Sequence, residues 1–124
     1  MPTKKIKILI AEDEKPMARA LELKLNKEGF DAHAVFNGEE VLEAVKKESY
    51  DLLLLDLIMP KKDGFSVLAA LKELKNTMPV IVSSNLSQDE DMQRAHKMGA
   101  KDYFVKSNTP INEIVTRVKK ALGL

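Results

Sequence analysis

Five strand-length runs in this chain are apolar at nearly every position, and that lack of alternation restricts the fold more than any other feature. They are Ile6 with Ile8 to Ala11, Ala32 to Phe36, Leu52 to Leu55, Val80 to Val82 and Tyr103 to Val105. A strand with one wet face alternates apolar and polar residues, whereas a run without alternation belongs in a parallel sheet covered on both sides. Between the runs lie segments with helical spacing: Met17, Leu21 and Leu25; Val41, Leu42 and Val45; Val67, Leu68, Leu71 and Leu74; and finally Ile111, Ile114, Val115, Val118 and Leu122. Helix ends are marked by Gly29 and Gly99, by Ser87 with Glu90 as a capping box, and by Thr109 and Pro110 as N-cap and first-turn residue.

Strand and helix alternate five times. That order predicts an α/β fold, a five-stranded parallel sheet doubly wound as (βα)5 with right-handed crossovers and helices on both faces. The flavodoxin-like strand order 2-1-3-4-5 would make strands one and three neighbours, with a ligand site outside the carboxyl ends of the strands. At 124 residues and 44% apolar composition the chain suits one compact domain over residues 1–124. Twenty basic residues against nineteen acidic ones, with no long run of either sign, give no footprint for nucleic acid or an anionic membrane. The absence of cysteine removes disulfides, thiolate metal sites and thiol nucleophiles. With neither a secretory leader nor a membrane-length apolar stretch, the expected location is cytoplasmic.

The strand ends carry the chemistry. Strand one, "KILIAED", ends in Glu12 and Asp13, and strand three, "LLLLD", ends in Asp56. Three carboxylates at one sheet edge repel by roughly 3 kcal/mol per pair at 5 Å and an effective dielectric near 20. A divalent cation relieves this, and an all-oxygen site with room for water suits Mg²⁺ or Mn²⁺. Strand four ends in Ser84 and strand five in Lys106, so a hydroxyl and an ammonium should project over the same cleft and hold a tetrahedral anion. Taken singly, each residue has a plainer reading. Asp56 can cap a helix, Glu12 and Asp13 can favour a helix dipole, Lys106 can be a structural ion-pair partner, and Tyr103 can be core packing. Their joint placement at four strand ends favours a site.

The acidic pair Glu12-Asp13, the stretch "LLLLDLIMPKKDGF", "PVIVSS" and "GAKDYFVK" together resemble the receiver domain of bacterial two-component response regulators, over essentially the whole chain. The resemblance implies that Asp56 accepts a phosphoryl group from a sensor histidine kinase or phosphotransfer protein. It implies Mg²⁺ held by Asp13, Asp56 and the Ile58 carbonyl, with Glu12 positioning it. Ser84 and Lys106 would contact the acquired phosphoryl group, and Tyr103 would change rotamer with Ser84. Output would pass to a protein target through helix four, strand five and helix five, as a monomer or a weak phosphorylation-dependent dimer. No output domain, direct nucleic-acid contact or membrane partner is expected in these residues. The domain would catalyse only its own phosphorylation and dephosphorylation.

Four positions depart from the family pattern: Glu12 for aspartate, Lys62 for an apolar residue, Asn85 for a small alanine beside the phosphoryl site, and Ser107 for proline. The last matters most, because a cis bond costs only about 0.5 to 1 kcal/mol before proline but roughly 2.5 to 4 before other residues. Either the Lys106-Ser107 peptide is trans and Lys106 is aimed differently, or the strain is kept. Competing readings are a degenerate receiver acting as an unphosphorylated interaction module and an aspartate-nucleophile phosphohydrolase. The second expects an Asp where Ile58 stands. A flavodoxin-like cofactor binder lacks its phosphate loop after strand one.

Overall fold

A computed structural model describes residues 5–86 and 88–124. In chain order the elements are β1 (Lys7–Ala11), α1 (Lys15–Lys27), β2 (Asp31–Val35), α2 (Gly38–Lys47), β3 (Leu52–Leu55), α3 (Gly64–Glu73), β4 (Val80–Ser84), α4 (Asp89–Lys97), β5 (Asp102–Val105), a 3₁₀ turn at Lys106–Asn108, and α5 (Ile111–Ala121). All strand pairs are parallel, in the order β2-β1-β3-β4-β5. The expected fold and strand order are therefore present.

Unbroken apolar strands are explained by two cores, one on each side of the sheet. Leu9, Leu53, Leu55, Val80 and Val82 face Val41 of α2, Val67, Leu68 and Leu71 of α3, and Ala95 of α4. The residues between them, Ile8, Ile10, Leu52, Leu54 and Ile81, face Leu21 and Leu25 of α1 and Ile114, Val115 and Val118 of α5. Successive side chains of a strand point to opposite faces, so a central strand such as β3 needs apolar residues at every position. Among the described residues no helix is long and apolar enough to cross a membrane.

Helix ends follow local chemistry, with some differences from expectation. Asn37 caps α2 by accepting the Glu40 N–H at 2.9 Å, while the Glu40 carboxylate accepts the Phe36 N–H at 2.8 Å. Asp63 caps α3 by accepting the Ser66 N–H at 2.8 Å. Neither cap was expected from the sequence. The α5 N-cap is Pro110 and not Thr109. The Thr109 hydroxyl instead donates to the Val105 carbonyl at 2.8 Å, closing the preceding turn and moving the helix start one residue on. Of the proposed Ser87–Glu90 box, Ser87 lies outside the described residues, and Gln88 occupies the α4 N-cap without a side-chain cap bond.

The α3 C-terminus supplies a stability prediction. Asn76 N–H donates to Leu71 O and Lys75 N–H to Lys72 O, the two bonds of a Schellman ending, with Lys75 at φ +57° where glycine is usual. A side chain in the left-handed region costs about 1 kcal/mol. Lys75→Gly should therefore raise the unfolding free energy by about 1 kcal/mol, seen as a higher urea midpoint at unchanged slope.

Candidate functional site

The ends of β1 and β3 lie side by side because Ala11 pairs with Leu55. The Asp56 N–H then donates to the Ala11 carbonyl at 3.0 Å, adding one rung to the ladder and fixing the base of the Asp56 side chain. Glu12, Asp13 and Asp56 each bring a carboxylate oxygen within 4.8 Å of the others. Glu12 and Asp56 are 2% and 4% exposed, whereas Asp13 is open to solvent. Lys106 reaches across from the end of β5, its Nζ donating to Glu12 Oε1 at 2.7 Å and to Asp56 Oδ2 at 3.1 Å. The remaining oxygens accept backbone N–H groups, Glu12 Oε2 from Glu14 at 3.1 Å and Asp56 Oδ1 from Ile58 at 3.2 Å. Each buried carboxylate thus gives one oxygen to the ammonium and the other to the main chain.

The loop after Asp56 is shaped by close approach. A Cβ on Gly64 would stand 2.5 Å from the Asp56 carbonyl oxygen and 2.7 Å from the Leu57 Cα, both main-chain atoms that cannot swing away. Its N–H donates to the Leu57 carbonyl at 2.9 Å, folding α3 back onto the strand end. Between them the Lys62 N–H donates to the Pro60 carbonyl at 2.8 Å around Lys61, whose φ is +67°, a tight three-residue turn. Gly64→Ala should cost about 2 kcal/mol of stability through overpacking. A thermal melt reads that loss directly.

Asp13, Glu14, Asp56, Ile58, Asn85, Leu86 and Lys106 line one cavity of about 300 Å³. Ser84, by contrast, is fully buried just behind it, its Oγ accepting the Leu86 N–H at 3.2 Å. The Tyr103 hydroxyl donates to the Leu86 carbonyl at 2.7 Å, so both groups hold the β4–α4 loop. The Ser107 N–H donates to Asn85 Oδ1 at 2.9 Å. No cis peptide bond occurs among the described residues, so Lys106-Ser107 is trans, yet Lys106 still reaches both carboxylates. The supposed choice between a trans bond and a well-aimed lysine does not arise, because the 3₁₀ turn at Lys106–Asn108 redirects the chain without proline.

Comparison with known proteins places this arrangement. Residues 8–119 match the family described as the response regulator receiver domain. The chain belongs to that family. This receiver is 37% identical over 115 residues to the transcriptional regulatory protein SrrA of Staphylococcus aureus, covering 93% of the chain but 47% of that protein. The chain thus spans about half the length of the curated relatives it matches. Among solved structures it is similar to the receiver domain of the Francisella response regulator 1452, with TM-score 0.91 and 32% identity, covering 96% and 98% of the two chains. It is also similar to a response regulator of Chloroflexus aurantiacus, described as putative, with TM-score 0.88 and 28% identity, covering 98% and 100%.

The receiver's electrostatics are unbalanced. Burial raises the Asp56 carboxyl above its ordinary pKa, and Asp13 adds to this, against the attraction of Lys106. Burial likewise raises Glu12, only partly offset by its bond from Lys106. Burial by itself lowers the Lys106 ammonium, but Glu12 and Asp56 outweigh it and hold the pKa above the usual lysine value. The three carboxylates, whose charge the single Lys106 ammonium only partly offsets, form an oxygen donor set that fits a hard divalent cation. Two contacts were missed by the sequence reading, the first of them at the cavity. Leu86 joins Ser84 to Tyr103 through its own backbone, which no residue type signals. Arg94 of α4 stacks 3.9 Å from the Phe65 ring centroid at the start of α3, a contact between residues far apart in sequence.

Proposed function

We propose that this receiver accepts a phosphoryl group on Asp56 from the phosphohistidine of a sensor kinase or phosphotransfer protein and signals by protein contact. The observation that carries the reading is the position of Asp56, a carboxylate fixed to a rigid strand end, lining the cavity, with Lys106 at 3.1 Å. Asp13 and Asp56 would ligate Mg²⁺ directly, with the Ile58 carbonyl as a further oxygen and Glu12 orienting the set. When bound, the cation neutralises charge developing on the transferred group. An Asp56 oxygen forms the new bond to phosphorus as the P–N bond of the phosphohistidine breaks, and the departing imidazole nitrogen keeps the electron pair and is free to take up a proton. The strand holds that oxygen in line, which is much of what such a transfer asks of a protein.

Lys106 then pairs with the phosphoryl oxygens. Ser84 donates its hydroxyl to them, which requires the β4–α4 loop to shift, since Ser84 is buried and bonded to Leu86. Tyr103, tied to the same loop, follows. The changed surface is that of α4, β5 and α5, read by a protein target, with the domain monomeric or weakly dimeric after modification and located in the cytoplasm. Two packings with different affinity for the phosphoryl group are enough for such a switch. Beryllofluoride with Mg²⁺ tests this by amide chemical shifts. Changes centred on Ser84, Leu86, Tyr103 and Lys106 are expected, and an unchanged spectrum would reject phosphoacceptor function in favour of an unphosphorylated interaction module.

A further inference from the structure

We infer that Asn85 and Ser107 form a clasp that aims Lys106, a hydrogen bond taking over the task of a fixed turn residue. The inference rests on the phosphoacceptor reading for its consequence but not for its geometry. Ser107 follows Lys106 in the 3₁₀ turn, whose first N–H groups lack partners within the turn itself. The Ser107 N–H finds one in Asn85 Oδ1 at 2.9 Å, on a residue that lines the carboxylate cavity and follows Ser84. A backbone N–H can only donate, so the amide's orientation is fixed: its oxygen faces Ser107. The bond therefore joins the two loops that carry Ser84 and Lys106, the two side chains expected to close on a phosphoryl group.

Two hydrogen bonds hold the Lys106-Ser107 peptide, one at each of its polar groups. Thr109 holds the carbonyl side, its N–H donating to the Lys106 carbonyl at 3.3 Å, and closes the turn through its hydroxyl to the Val105 carbonyl. The clasp holds the amide side of the same peptide with the shorter bond, 2.9 Å. Freed of it, that peptide keeps only the longer bond from Thr109, the Lys106 backbone gains torsional freedom, and its ammonium, bonded to Glu12 and Asp56, loses pre-organisation towards an incoming anion. Asn85 is thus a positioning residue, acting through Ser107 on Lys106.

The full chain tests this in two steps. Without any ligand, the Ser107 amide should be protected from hydrogen exchange in the wild type and in Ser107→Ala, which keeps the N–H, and unprotected in Asn85→Ala. With beryllofluoride and Mg²⁺, Asn85→Ala should weaken binding by about fivefold, the scale of one modest hydrogen bond, while Ser107→Ala leaves it unchanged. In a Ser107→Pro background no donor exists, so Asn85→Ala should then have no effect. An equal loss in both backgrounds would mean that Asn85 acts on the anion itself, and it would overturn the clasp. Wild-type binding with no loss in Asn85→Ala would overturn it too, whereas failure of the wild type to bind at all would strike the phosphoacceptor reading and leave the exchange result to decide the clasp.

Discussion

Asp56→Asn is expected to abolish phosphoryl incorporation and, in the absence of divalent cations, to stabilise the fold by about 2 kcal/mol. The sign follows from counting neighbours. At an effective dielectric near 20, Asp56 gains about 5 kcal/mol from Lys106 at its observed separation but loses about 3 to each of Glu12 and Asp13. Desolvation of a carboxylate only 4% exposed adds to the loss. Asparagine removes all these interactions and leaves Lys106 its closer bond to Glu12.

The pH dependence has a definite direction. Because burial raises the Asp56 pKa, the folded state binds that proton more tightly than the unfolded chain, so the destabilisation is full at neutral pH and fades as pH falls through the raised folded value towards 3.8. The advantage of Asp56→Asn should shrink over the same interval, as the wild-type acid becomes neutral. Saturating Mg²⁺ should also narrow it, since a ligand present at a hundred times its dissociation constant stabilises the wild type by about 2.7 kcal/mol. Urea unfolding of both proteins at pH 7 and pH 5, with EDTA and with Mg²⁺, reads all three effects. A less stable variant at pH 7 in EDTA would show that the Lys106 pair outweighs the repulsion.

Lys106→Met should act in the opposite sense, lowering stability by about 3 kcal/mol in EDTA. Methionine matches the aliphatic stem, so the loss isolates the charge. Glu12 and Asp56 are left buried with no cation in contact. The raised Lys106 pKa places its contribution fully in force below 10.5, to be lost only as pH climbs through the folded value. Lowering the pH should therefore rescue the variant by protonating the stranded acids, not by changing residue 106. The beryllofluoride response should weaken by at least about tenfold, since a charge-assisted contact to the anion is gone. Chemical denaturation and a beryllofluoride titration of the same preparation check the two effects separately.

These opposite outcomes show what the sequence makes legible. Four consecutive leucines require a strand covered on both faces, and β3 is such a strand, with all four residues at 0 to 1% exposure. Periodicity also located α5, because Ile114, Val115 and Val118 fall on one face. The convergence of Glu12, Asp13, Asp56 and Lys106 follows from one rule about strand ends, given strands one and three as neighbours. What remained hidden depends on contacts between residues distant in sequence or on the main chain. The Lys61 turn carries no glycine or asparagine to announce its positive φ. Thr109 and Pro110 read equally well as cap and first turn, and only the Thr109 bond to Val105 decides between registers. Ser107 leaves the aim of Lys106 open in the sequence, because the 3₁₀ turn and its bond to Asn85 are invisible in a linear pattern.

The central claim is that side chains from separate strands meet so that one of them, Asp56, can take on a phosphoryl group. Intact-mass measurement after incubation with acetyl phosphate and Mg²⁺ addresses it with the fewest assumptions. The wild type should gain one acid-stable, hydroxylamine-labile phosphoryl group, and Asp56→Asn should gain none. An unmodified wild type, or the same gain in both proteins, would contradict the account.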